Sequence, residues 1–321
     1  MIDLIRDANR ALVLGIGGGG DVVGALAAAH LCRSLGTECV LGGVTWERYA
    51  IDPAPGPRSI EEIRGGRRIG ARALLADADT ATSDGVRFAE SGMAAYLGDA
   101  TVLVDVSGGP RAAADGIAAA AAELGCDLAV YTDVGGDVLA RGDEPGLASP
   151  LCDAVMLAAS VRAGRSLPGV GAVFGAGCDG ELTADEVIGR IAEVAAAGGW
   201  VGTWGLTEAA ASEIEAAARE VPTEASVQAA RCFRGETGEV EIRGGRRRVR
   251  LTPVGALTFL YDLDVAFDAA APLARAVADA ADLDAARDAL AALGVRTELD
   301  YERERAAEPV ERIRRPGHAS P

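Results

Sequence analysis

Four times in the first 181 residues, an apolar run of strand length stops at a glycine and a carboxylate: "ALVLGIGGGGD" (11–21), "TVLVDVSGG" (101–109), "LAVYTDVGGD" (128–137) and "GVGAVFGAGCDGE" (169–181). Runs that are apolar on both faces suit strands of a parallel sheet covered on each side by helices. Such strands point one way, so their C-terminal ends open onto one crevice, where ligands bind. The repetition predicts fold class and site together: an α/β fold, a mostly parallel Rossmann-like sheet with helices on both faces, and glycine-acid loops along one edge.

Further runs at "ECVLGGV" and "ARALLAD" bring the expected sheet to roughly five to seven parallel strands. Alanine-rich stretches predict helices at roughly 21–35, 86–98, 111–124 and 149–164, the last with Ser149 as cap and Pro150 in its first position. A proline- and glycine-rich loop, 46–70, follows the second strand; its length marks it as functional or mobile. Beyond residue 182 the texture changes to a C-terminal α+β region. Helices are expected near 183–198, 207–219, 270–281 and 284–293, with a hairpin "GEVEIRGGRRRVRLT" turning at Gly244-Gly245 and a final extended "VRTELDY". The expected organisation is an α/β core over 1–182, this region packed on the same core over 183–302, and a disordered, charged tail over 303–321.

Carboxylates gathered at one crevice repel each other, and a shared proton, an arginine or a cation must relieve them. Oxygen ligands favour Mg²⁺ or another divalent cation. Asp21, Asp105, Asp137 and Asp179 are the candidate metal ligands, with Glu181 beside the last, and Asp133 and Asp137 are the candidate catalytic acids. Backbone amides of Gly17, Gly18, Gly19 and Gly20 would receive an anion, as would Ser107, Gly108 and Gly109 with Arg111 at the start of the next helix. Each loop taken singly also reads as a turn or a cap, and Ser107 is well placed to cap. Arg48, Arg58, Arg64, Arg67 and Arg68 are further anion clamps, although "RGGRRIGAR" reads equally as a solvated loop. "RGGRRRVR" reads as the charged protection of an exposed strand edge.

Gly15, Gly17 and Gly20 match the dinucleotide fingerprint G-x-G-x-x-G, so an NAD(P)-dependent oxidoreductase is an alternative. The second strand, however, ends in Gly42-Gly43 where a ribose-binding acid is required, and Asp21 would face the pyrophosphate. Of two histidines, His318 lies in the tail and His30 on an apolar helix reads as packing, so proton transfer falls to acids or metal-bound water. All 31 basic residues are arginine, which removes Schiff-base and P-loop lysine chemistry. A net charge of −17 argues against nucleic acid or an anionic membrane as partner. No apolar run reaches the length of a membrane span, and the N-terminus lacks the order of a signal peptide. A cytoplasmic protein with a small-molecule ligand is expected, and the alanine-rich helices leave a homo-oligomer open.

In combination, "GIGGGGDVVGALAAA", "LGGVTWER", "DPAPGPRSIEEI", "TDVGGDVLARGDEPGLASPLCDAVML" and "VFGAGCDGEL" resemble the family called domain of unknown function 1152, over about residues 11–182. That resemblance implies one shared architecture and carries no activity with it. "TDVGGDVLA" is also similar to the glycine-rich acidic loop of D-glutamate cyclase-like proteins, which implies a lyase or hydratase acting on a small carboxylate. The functional expectation is a metal-assisted lyase, hydrolase or transferase acting on a small phosphorylated, nucleotide or carboxylated metabolite. A non-catalytic nucleotide- or metabolite-binding protein is the alternative from another class.

Overall fold

The computed structural model describes residues 2–308. Its strands are β1 (Arg10–Gly15), β2 (Glu38–Val44), β3 (Ile63–Arg64), β4 (Arg67–Ile69), β5 (Ala73–Ala76), β6 (Ala81–Thr82), β7 (Thr101–Val104), β8 (Leu128–Val134), β9 (Gly169–Phe174), β10 (Trp200–Gly205), β11 (Gly238–Ile242), β12 (Arg247–Leu251) and β13 (Leu257–Tyr261). Its helices are α1 (Ile2–Asp7), α2 (Asp21–Ser34), α3 (Ala89–Leu97), α4 (Gly109–Leu124), α5 (Pro150–Ala163), α6 (Ala184–Ala196), α7 (Glu208–Ala217), α8 (Ala225–Phe233), α9 (Leu263–Ala270), α10 (Pro272–Val277), α11 (Leu283–Ala292) and α12 (Glu298–Ala307).

One sheet runs in the order β10-β13-β9-β8-β1-β2-β7-β5-β4. Its five central strands, β9, β8, β1, β2 and β7, are parallel. An antiparallel pair extends each edge, β13 and β10 on one side and β5 and β4 on the other. This is the mostly parallel α/β class that the apolar runs predict, in a wider sheet. "ARALLAD" supplies β5 as an antiparallel strand: a tight turn joins it to β4, and a parallel partner would have required a crossover. Alternate residues of the central strands feed two cores. Leu12 and Leu14 pack with α4, α5, α10 and α11 on one face. Ala11 and Val13 pack with α2, α7 and α8 on the other.

Several expectations for the C-terminal region change. β10, α8, β13 and α9 stand where no element is expected, and the helix expected at 270–281 is the shorter α10. The extended piece expected at "VRTELDY" is mostly helix α12, begun by a capping box in which the Thr297 N–H donates to Asp300 at 3.0 Å and the Asp300 N–H donates to Thr297 Oγ1 at 3.3 Å. α12 runs into the stretch read as the start of a disordered tail; residues 309–321, including His318, lie outside the described residues. The hairpin β11–β12 forms as expected: Ile242 pairs with Arg247, and the loop 243–246 between them centres on Gly244 and Gly245, with φ of 66° and 81°. No helix among the described residues is long and apolar enough to cross a membrane.

The order of the strands places the site. From β1 the chain steps outward through β2 to β7, then returns to lay β8 and β9 on the other side of β1. Between the C-terminal ends of β1 and β8 the winding reverses, and a doubly wound sheet opens its crevice there.

Candidate functional site

A cleft of about 720 Å³, counting its open mouth, lies over that reversal. The loop Gly17–Gly20 after β1 forms one wall. Asp137 and Asp153 are buried, Asp179 and Glu181 come from the loop after β9, and Arg48, Glu224 and Arg243 complete the lining, with Arg48 lying against Gly19.

Each acid has a local reason for its place. Asp133 is the penultimate residue of β8, and Gly135 and Gly136, with φ of 134° and 115°, turn the chain so that Asp137 heads a short 3₁₀ turn. Asp153 sits in the first turn of α5. Glycine is required where these carboxylates approach the backbone. A Cβ on Gly17 would lie 2.6 Å from Asp21 Oδ2 and 3.1 Å from Asp153 Oδ2, and one on Gly135 would lie 2.4 Å from Asp179 Oδ1.

Asp133, Asp137 and Asp153 each bring a carboxylate oxygen within 4.8 Å of the others, and all three are buried. Oxygens bound to one Mg²⁺ at about 2.1 Å stand about 3 Å apart when adjacent and about 4.2 Å when opposite, so the spacing fits a single small cation. Asp133 Oδ2 and Asp153 Oδ1 are buried without a hydrogen-bond partner among the described residues. Burial raises all three carboxyls well above the ordinary aspartate range, and repulsion adds to it: from Asp21 on Asp133, from Asp153 on Asp137, and from Asp133 on Asp153. Burial likewise lifts Asp21 to about 7, against the Gly17 N–H that donates to it at 3.0 Å. Asp179 is raised to about 7 by burial and by Glu181.

A second triad, Asp137, Asp179 and Glu181, satisfies the same spacing. Glu181, however, is already committed. Its Oε2 accepts the N–H groups of Ala148 and Ser149 at 2.7 and 2.8 Å, and its Oε1 takes the Ser149 hydroxyl and the Arg247 guanidinium. With four donors its lone pairs are filled, and it serves as the cap of α5. Glu298 of α12 continues that cap, accepting from Leu151 and Cys152 at 3.0 and 2.8 Å, and burial pushes it up to about 8.

The sequence-derived candidates divide by position along the sheet edge. Asp21, Asp137 and Asp179 line the cleft, and Asp133 lies beneath them, within reach of Asp137 and Asp153. Asp105 does not reach it. β7 lies two strands from β1 on the far side of β2, and Asp105 there accepts from the Ser107 N–H and hydroxyl at 2.9 and 2.6 Å and from Arg72 at 3.2 Å. Gly108 packs on Arg72 and Gly109 on Asp282, while Arg111 is exposed on α4. The loop of Ser107, Gly108 and Gly109 therefore stands apart from the cleft, with the Ser107 N–H bound to Asp105 and the Gly109 N–H to the Val106 carbonyl. Within the first loop the Gly17 and Gly19 amides are also spent, on Asp21 and on the Trp46 carbonyl at 2.9 Å, which leaves those of Gly18 and Gly20. Of the arginines, Arg48 reaches the cleft; Arg58 pairs bidentately with Asp52 at 2.6 Å, and Arg67 and Arg68 make exposed ion pairs. His30 is half-buried against Glu213 at 2.5 Å.

Asp153, Glu298 and Arg243 were not singled out by sequence. Asp153 stood in plain view one turn inside "SPLCDAVML", but it comes after a helix start rather than a strand end. Glu47 also lines the cleft; burial raises it to about 7, although the Ala89 N–H donates to it at 2.5 Å.

Neither a curated protein nor a solved structure matches the chain. A family model described as "Protein of unknown function (DUF1152)" matches residues 12–306, so the likeness read over the first part of the chain extends through the C-terminal region, and the protein belongs to that family.

Proposed function

We propose that the cleft is the active site of an enzyme that holds a divalent cation, Mg²⁺ or Mn²⁺, on Asp133, Asp137 and Asp153 and acts on a small anionic metabolite. The observation that carries this reading is the convergence of three buried aspartates, two of them with an oxygen that has no hydrogen-bond partner among the described residues. Three buried negative charges without a counter-charge are untenable, and protons or a cation must stand among them. A bound cation would act as a Lewis acid on a substrate oxygen. Asp21 and Asp179, at about 7 and lining the cleft, are suited to exchange a proton with the substrate. This assigns proton transfer to them rather than to Asp133 and Asp137, which lie within the cation cage. A dinucleotide fits less well, because Asp21 takes the Gly17 amide that the fingerprint would offer to pyrophosphate.

Thermal melts with Mn²⁺ or Mg²⁺ at pH 8 test the reading. A ligand at about a hundred times its Kd adds about 2.7 kcal/mol, a rise of several degrees in Tm. Asp137→Asn and Asp153→Asn should melt normally without metal and lose that rise. An equal metal-dependent rise in both variants would remove the proposed site. A chain that binds metal and metabolite but shows no turnover across phosphorylated, nucleotide and carboxylated candidates would instead be a binding protein.

A further inference from the structure

The β11–β12 turn breaks a local rule at the mouth of the cleft. Its four-residue loop, 243–246 between the paired Ile242 and Arg247, opens with a turn closed by the Gly245 N–H to the Ile242 carbonyl at 3.1 Å, whose central residues, Arg243 and Gly244, both have positive φ. Such turns select asparagine, aspartate or glycine, because a longer side chain in the left-handed region costs about 1 kcal/mol or more. Arg243 is the one non-glycine with positive φ among the described residues. Strain of this kind persists where the side chain has work to do.

The Arg243 side chain lines the cleft, about a quarter exposed. Its Nε stands 3.3 Å from Glu224 Oε2 without hydrogen-bond geometry, its backbone N–H donates to Glu224 Oε1 at 3.0 Å, and its terminal nitrogens have no hydrogen bond among the described residues. Arg48 Nη1 lies 3.8 Å from the same glutamate and its Nη2 donates to the Pro222 carbonyl at 3.2 Å, while its buried Nε has no partner among the described residues and its Cγ covers Gly19 of the first loop. Two guanidinium groups share one carboxylate and retain unused donors. The amides of Gly18 and Gly20 belong to the loop that Arg48 covers. We propose that Arg243 and Arg48, with this loop, form the subsite for a phosphate group of the substrate, placed against the cation site. A phosphate carries three acceptor oxygens and close to two charges, which matches two planar forks and a pair of amides better than the two oxygens of a carboxylate. The inference rests on reading the cleft as a cation-dependent active site and narrows its substrates to phosphorylated compounds.

The test measures anion and cation separately, using pyrophosphate with Mg²⁺ in excess for one and Mn²⁺ alone for the other. Arg243→Gly removes the guanidinium while giving the turn the residue it favours, so its Tm should equal or exceed that of the parent chain. Its pyrophosphate affinity should fall at least tenfold, about the loss of one charge-assisted hydrogen bond, with Mn²⁺ binding unchanged. Arg48→Gln should show the same pattern. Unchanged pyrophosphate binding in both variants overturns the proposal, as does oxalate binding that falls as far as pyrophosphate binding. Failure of the parent chain to bind Mn²⁺ overturns the underlying reading of the cleft instead.

Discussion

A carboxyl buried without a counter-charge keeps its proton, and at Asp21 this ties folding stability to pH. Its ordinary value of 3.8 rises to about 7 in the folded chain. Below the lower value both states are protonated and nothing is gained or lost. Between the two, the folded state holds a proton that the unfolded chain has released, so stability falls as pH rises and stays low above about 7. At about 1.4 kcal/mol for each pH unit, the window is worth up to ~4 kcal/mol. Asp21→Asn should therefore lessen the fall of metal-free stability between pH 4 and 7, leaving the share that belongs to the other raised carboxyls, and raise stability at pH 8, as read by urea denaturation in EDTA. A parent-like pH slope in that variant would count against the assignment. Gly135 makes the complementary case in the backbone. With φ at 134° and Asp179 Oδ1 2.4 Å from any added Cβ, Gly135→Ala should cost on the order of 2–4 kcal/mol and displace Asp179 from the cleft. A urea midpoint within error of the parent would contradict it.

Helix α12 holds the start of α5 through one side chain. Glu298 binds the Leu151 and Cys152 amides in the first turn of α5, the turn that also carries Asp153. Glu298→Ala should cost about 1–2 kcal/mol and speed hydrogen exchange at those two amides ahead of the rest of α5. Uniform exchange along α5 would mean the cap is not what holds it. The signal for α12 was legible: "TELD" is a capping box, overlooked because the polar residues beyond it have the composition of a tail. β10 offered less. It is an exposed edge strand containing Gly202 and Gly205, with Trp200 and Trp204 turned outward, so no buried run announces it. The five parallel strands were legible because both their faces are buried and their residues had little other freedom.

Across the whole molecule, the sequence located the edge of the sheet on which the site lies, while strand order decided which loops share it. All four glycine-acid loops come after parallel strands, yet only those after β1, β8 and β9 flank the reversal at the centre of the sheet. The loop after β7 lies outside it, because the order of strands depends on long-range packing that local patterns do not encode. Asp105→Asn is therefore a control: it should lower stability by about 1–2 kcal/mol through its Ser107 and Arg72 contacts and leave cation affinity unchanged in calorimetric titration. Family membership over residues 12–306 is consistent with one architecture from the first strand to α12. The central claim is that a divalent cation sits among Asp133, Asp137 and Asp153. Anomalous diffraction from crystals soaked in Mn²⁺ at pH 8 tests it most directly. A peak is expected about 2.1–2.2 Å from an oxygen of each aspartate; ordered density for all three side chains with no peak between them would contradict it.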